Sequence, residues 1–183
     1  MKKMIISVLG KDRPGIIAAV TRILFELDCN IENVSQTILQ HEFSGIFIVA
    51  VHDHLSDSTL HRQLEAGLGP MGLHVYEKPL SDPSKNPAVP SEPFVITTKG
   101  PDRKGLVAAI TAVMADHRVN VTNLQAVFKG GDDPNANIMI YEVDIPNDAD
   151  QHALRQSLRE KARDLSLDIS FQHKLIFEAI NRV

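Results

Sequence analysis

Two short stretches hold the residues whose types and spacing could do chemistry. They are Gly10-Lys11-Asp12-Arg13-Pro14-Gly15 and, ninety positions later, Gly100-Pro101-Asp102-Arg103-Lys104-Gly105. Each precedes an apolar run at helical spacing: Ile16, Val20, Ile23, Leu24 and Leu27, then Leu106, Ile110, Val113 and Met114. A carboxylate just ahead of a helix can cap its free N–H groups and meets the positive end of the dipole. Pro14 suits the first helical turn, where its missing N–H would have had no partner. A glycine lacks the Cβ that would keep backbone or ligand at a distance. The start of a helix is also a ready seat for a carboxylate or phosphate. Two readings stay open on these residues alone: a binding turn, or only a cap and a tight corner.

Asn30 and Asn120 follow soon after each helix and offer both donor and acceptor. A helix in a compact β-α-β unit runs antiparallel to its flanking strands. The start of the second strand therefore lies a helix length from the turn, and another copy or subunit would have to bring the asparagine to it.

The positioning elements come from the match between halves. A shift of ninety aligns Gly10, Asp12, Arg13, Gly15, Ala18, Ala19, Thr21, Asn30 and Asn33 with identical residues, without a gap. Apolar positions between them stay apolar, as in Ile16/Leu106 and Val20/Ile110. This is the mark of a duplicated domain; two copies make no solenoid. Strands are expected at Met4–Leu9, Asn30–Gln40, Gly45–His52 and Gly72–Glu77, with a turn around Glu42–Gly45. Their counterparts are Pro93–Lys99, Asn120–Lys129, Asn137–Ile145 and Leu167–Phe171, with a longer loop at 130–136. Leu60, Leu64 and Leu68 mark a helix stopped by Gly69-Pro70, and Leu154, Leu158, Ala162 and Leu165 mark its counterpart. The tail 174–182 extends the last strand or forms a short helix. Each half reads β-α-β-β-α-β, an α+β fold of ferredoxin-like type with an antiparallel sheet covered on one face.

Half of the ten prolines crowd into 79–93, a stretch expected to be neither helix nor central strand. It reads as a stiff linker. The boundaries follow: domain 1 at 1–79, a Pro-rich linker at 80–92, domain 2 at 93–183.

A net charge of −4, no tryptophan and 5% aromatic residues give no footprint for nucleic acid. No apolar run approaches the ~20 residues of a membrane span, and the start is too short in apolar residues for a signal peptide. The single Cys29 forms no intrachain disulfide, which suits the cytoplasm; it is expected to be buried and inert. His52, His54 and His61 invite a metal reading, but no firm fourth ligand accompanies them, and loop histidines are the better reading. No nucleophile-and-base constellation or phosphate loop is visible, so neither an enzyme nor a cofactor is expected.

At the Gly-x-Asp-Arg-x-Gly turns and at Cys29-Asn30-Ile31 and Val119-Asn120-Val121, the sequence resembles the ACT domain family. As a tandem pair it is similar to the glycine cleavage system transcriptional repressor family. The resemblance implies ferredoxin-like units that pair side by side and bind a small amino acid where two units meet. By position, Gly10, Asp12, Arg13, Gly15 and Ile16 would line one half-site completed by Asn120. Gly100, Asp102, Gly105 and Leu106 would line the other, with Asn30. Main-chain N–H groups would hold the ligand carboxylate, and the Asp and Asn oxygens its ammonium. Lys104 stands where the first copy has Pro14, which makes the first copy the better candidate; Lys104 itself is expected to be solvated. The implied protein is a homo-oligomeric amino-acid sensor, with glycine or serine as effector. It would act on a transcription regulator, with no direct DNA contact, or on a metabolic enzyme. A ligand-free dimerisation adaptor is the reading from another class.

Overall fold

The computed structural model describes residues 1–81, 89–128 and 137–176. They belong to two compact units, Met1–Pro87 and Ala88–Val183, each with its own core. Unit 1 runs β1 (Lys2–Lys11), α1 (Ile16–Glu26), β2 (Asn30–Leu39), β3 (Glu42–Val51), α2 (Asp57–Leu68) and β4 (Leu73–Pro79). Unit 2 repeats it as β5 (Ser91–Gly100), α3 (Leu106–Asp116), β6 (Asn120–Phe128), β7 (Asn137–Pro146), α4 (Gln151–Asp164) and β8 (Asp168–His173). The antiparallel sheets have the orders β2-β3-β1-β4 and β6-β7-β5-β8. Each unit is the expected ferredoxin-like α+β fold, with both helices on one face.

Period-two alternation decides that face. Met4, Ile6 and Val8 of β1 turn inward with Phe43, Phe47 and Val49 of β3, onto Ile16, Val20 and Leu24 of α1 and Leu60, Leu64 and Leu68 of α2. In unit 2, Phe94 and Ile96 join Met139, Tyr141 and Val143 under Leu106, Ile110, Met114, Leu154 and Leu158. Each such aliphatic or aromatic side chain contributes about 1.5–3 kcal/mol by leaving water. The opposite face of the unit 1 sheet is open, and Leu9, Ile46 and Tyr76 are exposed on it.

Gly10 and Gly100 are repeated because the chain leading into the last strand passes them closely. A Cβ at Gly10 would lie 2.7 Å from the Gly72 carbonyl oxygen, and one at Gly100 would lie 2.8 Å from that of Ser166. Packing alone therefore accounts for both glycines, without a ligand.

Two expectations change, and one left open is decided. Pro93 lies in a strand as expected, opposite Asp144 of β7, but β5 begins two residues ahead of the expected start, at Ser91. Pairing with β8 starts only at Phe94, so the strand is locally an edge at Pro93, where proline is tolerated. The β2–β3 turn is not at Glu42–Gly45 but is the two-residue corner Gln40-His41, both at positive φ (53° and 94°). At the tail, residues 174–176 are helical, and Lys174 donates to Glu142 of β7 at 2.6 Å. The proline-rich centre at 82–88, the loop at 130–136 and the rest of the tail lie outside the described residues.

Two predictions follow from this frame. Gly10→Ala and Gly100→Ala should each lower stability by about 1–3 kcal/mol through overpacking. Denaturant melts showing less than about 0.5 kcal/mol would mean that β4 and β8 yield easily. The second concerns Asp150, which caps α4 by accepting from the N–H groups of Ala153 (2.9 Å) and His152 (3.0 Å). The Ala153 bond first, then that of His152, holds its carboxyl below the usual carboxylate range. The depressed folded value means that this stabilisation is whole above the unfolded carboxylate pKa and fades as pH falls through the folded one. Asp150→Asn should flatten that part of the acid limb in thermal melts between pH 7 and 3; an unchanged limb would show that the cap is not felt.

Candidate functional site

Each turn ends on a left-handed glycine, Gly15 at φ 97° and Gly105 at φ 89°, which serves as the N-cap. Glycine alone adopts this backbone without strain, and nothing lies within 4 Å of where either Cβ would stand. The first amides to find an intrahelical partner are those of Ala19, on Gly15 O, and Ala109, on Gly105 O, both at 2.9 Å. The N–H groups ahead of them have no side-chain cap. Asp12 and Asp102 are therefore not caps, contrary to expectation, because the chain rises from the strand through two more residues before the helix begins. Pro14 stands before the cap and outside the first helical turn. Both helices thus present bare N-termini, with an exposed carboxylate three residues upstream.

The two turns share this backbone, so Lys104 in place of Pro14 does not deform the second. Lys104 is exposed, which agrees with a solvated lysine.

The turn of unit 1 is braced from the hairpin: the Asp12 N–H donates to His41 O at 2.7 Å. Beside it lies a recess of about 250 Å³ lined by Asp12, Arg13, Gly15, Gln36, Ile38 and Phe43, among others. Gln36, Ile38 and Phe43 come from the far part of β2 and the start of β3. Sequence reasoning missed them, because only strand register shows which end of β2 meets the turn. Unit 2 has a recess of about 420 Å³ lined by Arg103, Gly105, Leu106, Val107, Ala108 and Met139. A groove of about 640 Å³ between α1 and α2 lies away from the turn, towards the C-terminal ends of both helices.

Asn30 does not meet the turn in its own unit. Asn30 and Lys3 both pair with Ala50, whereas Gly10 pairs with Phe43. The seven residues from Lys3 to Gly10 put roughly 23 Å of sheet between asparagine and turn. Asn120 stands likewise, through Asp144, at the Pro93 end of β5. The expected separation within one unit holds.

Cys29 is half-buried rather than buried, with its thiol donating to Leu27 O at 3.6 Å. Burial, then the neighbouring Asp28, raises its pKa, so it is a poor nucleophile. His52 and His54 stack at 5.3 Å, with His52 Nε2 3.1 Å from Asp28, while His61 pairs with Glu77 at 2.8 Å. Their carboxylate partners thus lie on different elements. Among the described residues no group of three or more His, Cys, Asp or Glu side chains could hold a metal ion. No helix among them is long and apolar enough to cross a membrane.

A family model described as the ACT domain matches residues 2–75 and 92–172, the two units just described. The chain belongs to the ACT domain family. It is a tandem ACT protein, and ACT domains are non-catalytic regulatory modules. A UPF0237 protein of Methanocaldococcus jannaschii is 36% identical over 76 residues, covering 41% of this chain and 84% of that one. A UPF0237 protein of Methanosarcina mazei is 31% identical over 94 residues, 51% of this chain and 98% of its own. Among solved structures, an unknown protein from Galdieria sulphuraria is similar over 94% of this chain and 98% of its own, at TM-score 0.77 and 22% identity. A putative glycine cleavage system transcriptional repressor is similar over 93% and 96%, at TM-score 0.66 and 18% identity. These last two likenesses are of fold.

His41 supplies the prediction here. A side chain at φ 94° is strained, and only the glycine backbone relieves it. His41→Gly should raise stability by about 1 kcal/mol in thermal denaturation; a loss would show that the imidazole makes a contact worth more than the strain.

Proposed function

We propose that this ACT protein senses a small amino acid and passes the signal by protein contact. The observation that carries the reading is the pair of glycine-started helices, each with free N–H groups beside an exposed aspartate. A zwitterion fits such a turn: its carboxylate lies against main-chain N–H groups and the dipole, and its ammonium lies near Asp12 or Asp102. Asn30 and Asn120 would serve only in a pair of ACT units, where one unit's strand start comes up to another's turn. The open edge strands β2 and β6 offer the backbone groups for such pairing.

The output has a surface of its own. Exposed Leu9, Ile46 and Tyr76 on the helix-free sheet face of unit 1 suit a protein partner. The partner we favour is an enzyme of amino-acid metabolism or its regulatory assembly. The narrower reading, a repressor-like protein acting on a transcription regulator, draws on a likeness of fold alone. A pull-down from the native host separates the two by the class of protein captured.

Calorimetric titration of the full chain against the twenty amino acids, starting with glycine and serine, tests the sensor itself. At least one should bind with heat that saturates. If none binds, the protein is an adaptor whose ACT units only pair.

A further inference from the structure

The last strand of each unit meets the second helix along one edge, and the two units fill that edge with opposite charge. Glu77 of β4 pairs with Ile6, and Phe171 of β8 pairs with the matching Ile96, so both turn to the helix side. Beside them, His61 and Glu65 of α2 follow the core residues Leu60 and Leu64, as Arg155 and Arg159 of α4 follow Leu154 and Leu158. Unit 1 thus has a histidine and two carboxylates in these places, with Glu77 Oε1 2.8 Å from His61 Nδ1. Unit 2 has two arginines and a phenylalanine.

The Arg155 guanidinium carbon lies 5.0 Å from the centre of the Phe171 ring and 5.5 Å from that of Phe94. That of Arg159 lies 5.8 Å from Phe171. A guanidinium makes its hydrogen bonds in its own plane, so a ring against its face takes none of its five donors. Among the described residues, neither group has a hydrogen bond or an ion pair. Glu160, the carboxylate next in the chain, accepts from Gln156 at 3.0 Å instead. His173 brings a further donor to the same edge. Its ring centre is 5.1 Å from that of Phe94, and its Nδ1 accepts from the Leu175 N–H at 3.3 Å. That bond leaves the ring proton on Nε2. Two like charges gathered about one ring repel each other, and the negative ring face offsets only part of this. Unit 1 supplies the missing anion from its own strand, at Glu77; unit 2 does not.

We propose that the α4–β8 edge of unit 2 is an anion site, where Arg155 and Arg159 hold the phosphate of a small phosphorylated molecule. This goes beyond the amino-acid-sensing reading and does not depend on it. A phosphate monoester is close to a dianion at neutral pH and has three acceptor oxygens. It therefore matches two guanidinium forks and the His173 Nε2–H better than a single carboxylate does. The rings also hold the arginine side chains in place, which lowers the ordering cost of binding. A net charge of −4 over the chain works against an extended polyanion or an anionic membrane, so the phosphate is one carried by a small molecule. The site is separate from the glycine turn: from Phe94 to Gly100 the strand rises about 20 Å, and a different helix serves each.

The test is a titration of the full, isotope-labelled chain with glycerol phosphate at constant ionic strength, followed through the arginine Nε–H resonances. Those of Arg155 and Arg159 should move and saturate with a Kd of about 1 mM or below. That of Arg118, already paired with Asp148, should stay in place. Acetate should bind roughly tenfold more weakly. Arg159→Gln removes an exposed side chain and should weaken glycerol phosphate binding roughly tenfold in a folded chain. Arg155→Lys keeps the charge without the fork and should weaken it several-fold. Shifts that never saturate, or full binding by a folded Arg159→Gln, overturn the site and leave the arginines as mere covers for the rings. Equal binding of acetate overturns the phosphate assignment. Sedimentation with vesicles containing phosphatidic acid, when glycerol phosphate does not bind, overturns the small-molecule assignment in favour of a lipid headgroup. The amino-acid titration reads the turns and is untouched by each of these outcomes.

Discussion

A helix that begins on a left-handed glycine has no side chain to spend on its own first amides. That constraint shapes both turns of this chain. Near the strand's end, at Gly10 or Gly100, the chain entering β4 or β8 presses so close that no side chain fits. The chain leaving that strand then needs a positive φ at Gly15 or Gly105 to enter the helix at the right angle. The cost is a helix start with unpartnered N–H groups, and water or a ligand must serve them. The other two helices, α2 and α4, are capped by Ser56 and Asp150 and leave no such vacancy.

Most of the fold was legible in the sequence, because alternation and helical spacing are strong in residues such as Met4, Ile6, Val8, Leu60, Leu64 and Leu68. The duplication doubled that signal. Legibility failed where the backbone does something the pattern does not encode. Gln40 and His41 turn the hairpin with positive φ although neither is a residue that turn chemistry favours, so the pattern points instead to Glu42–Gly45. β5 runs back past Pro93 to Ser91, because pairing with β8 ends at Phe94 and leaves the proline on a local edge. Asp12 read as a cap because proximity in sequence to the helix start was taken for proximity of its oxygen to the amides.

The site was half legible. The turn residues stood out, and the distance of Asn30 from them followed from helix direction alone. The strand residues opposite Gly10 and Gly100 were hidden for an arithmetical reason. The halves run ninety apart up to Asn33 and Asn123, but beyond the second hairpin the partners stand ninety-four apart, as with Leu60 and Leu154. Phe43 and Asn137 do not face each other in a sequence shifted by ninety. Only hydrogen-bond register to the glycines brings them into correspondence.

The one-sided sheet has a consequence for how a signal could be carried. In unit 1 the glycine turn opens on the helix side, while the other side of the same strands faces outward. In unit 1, Asp12 and its recess lie at one end of the helix layer, and Leu9, Ile46 and Tyr76 lie across the thickness of the sheet. A small molecule on the first surface and a protein on the second would not compete for space. Both can be held at once, so their affinities are free to be linked through the strands they share, each altering the other by the same factor.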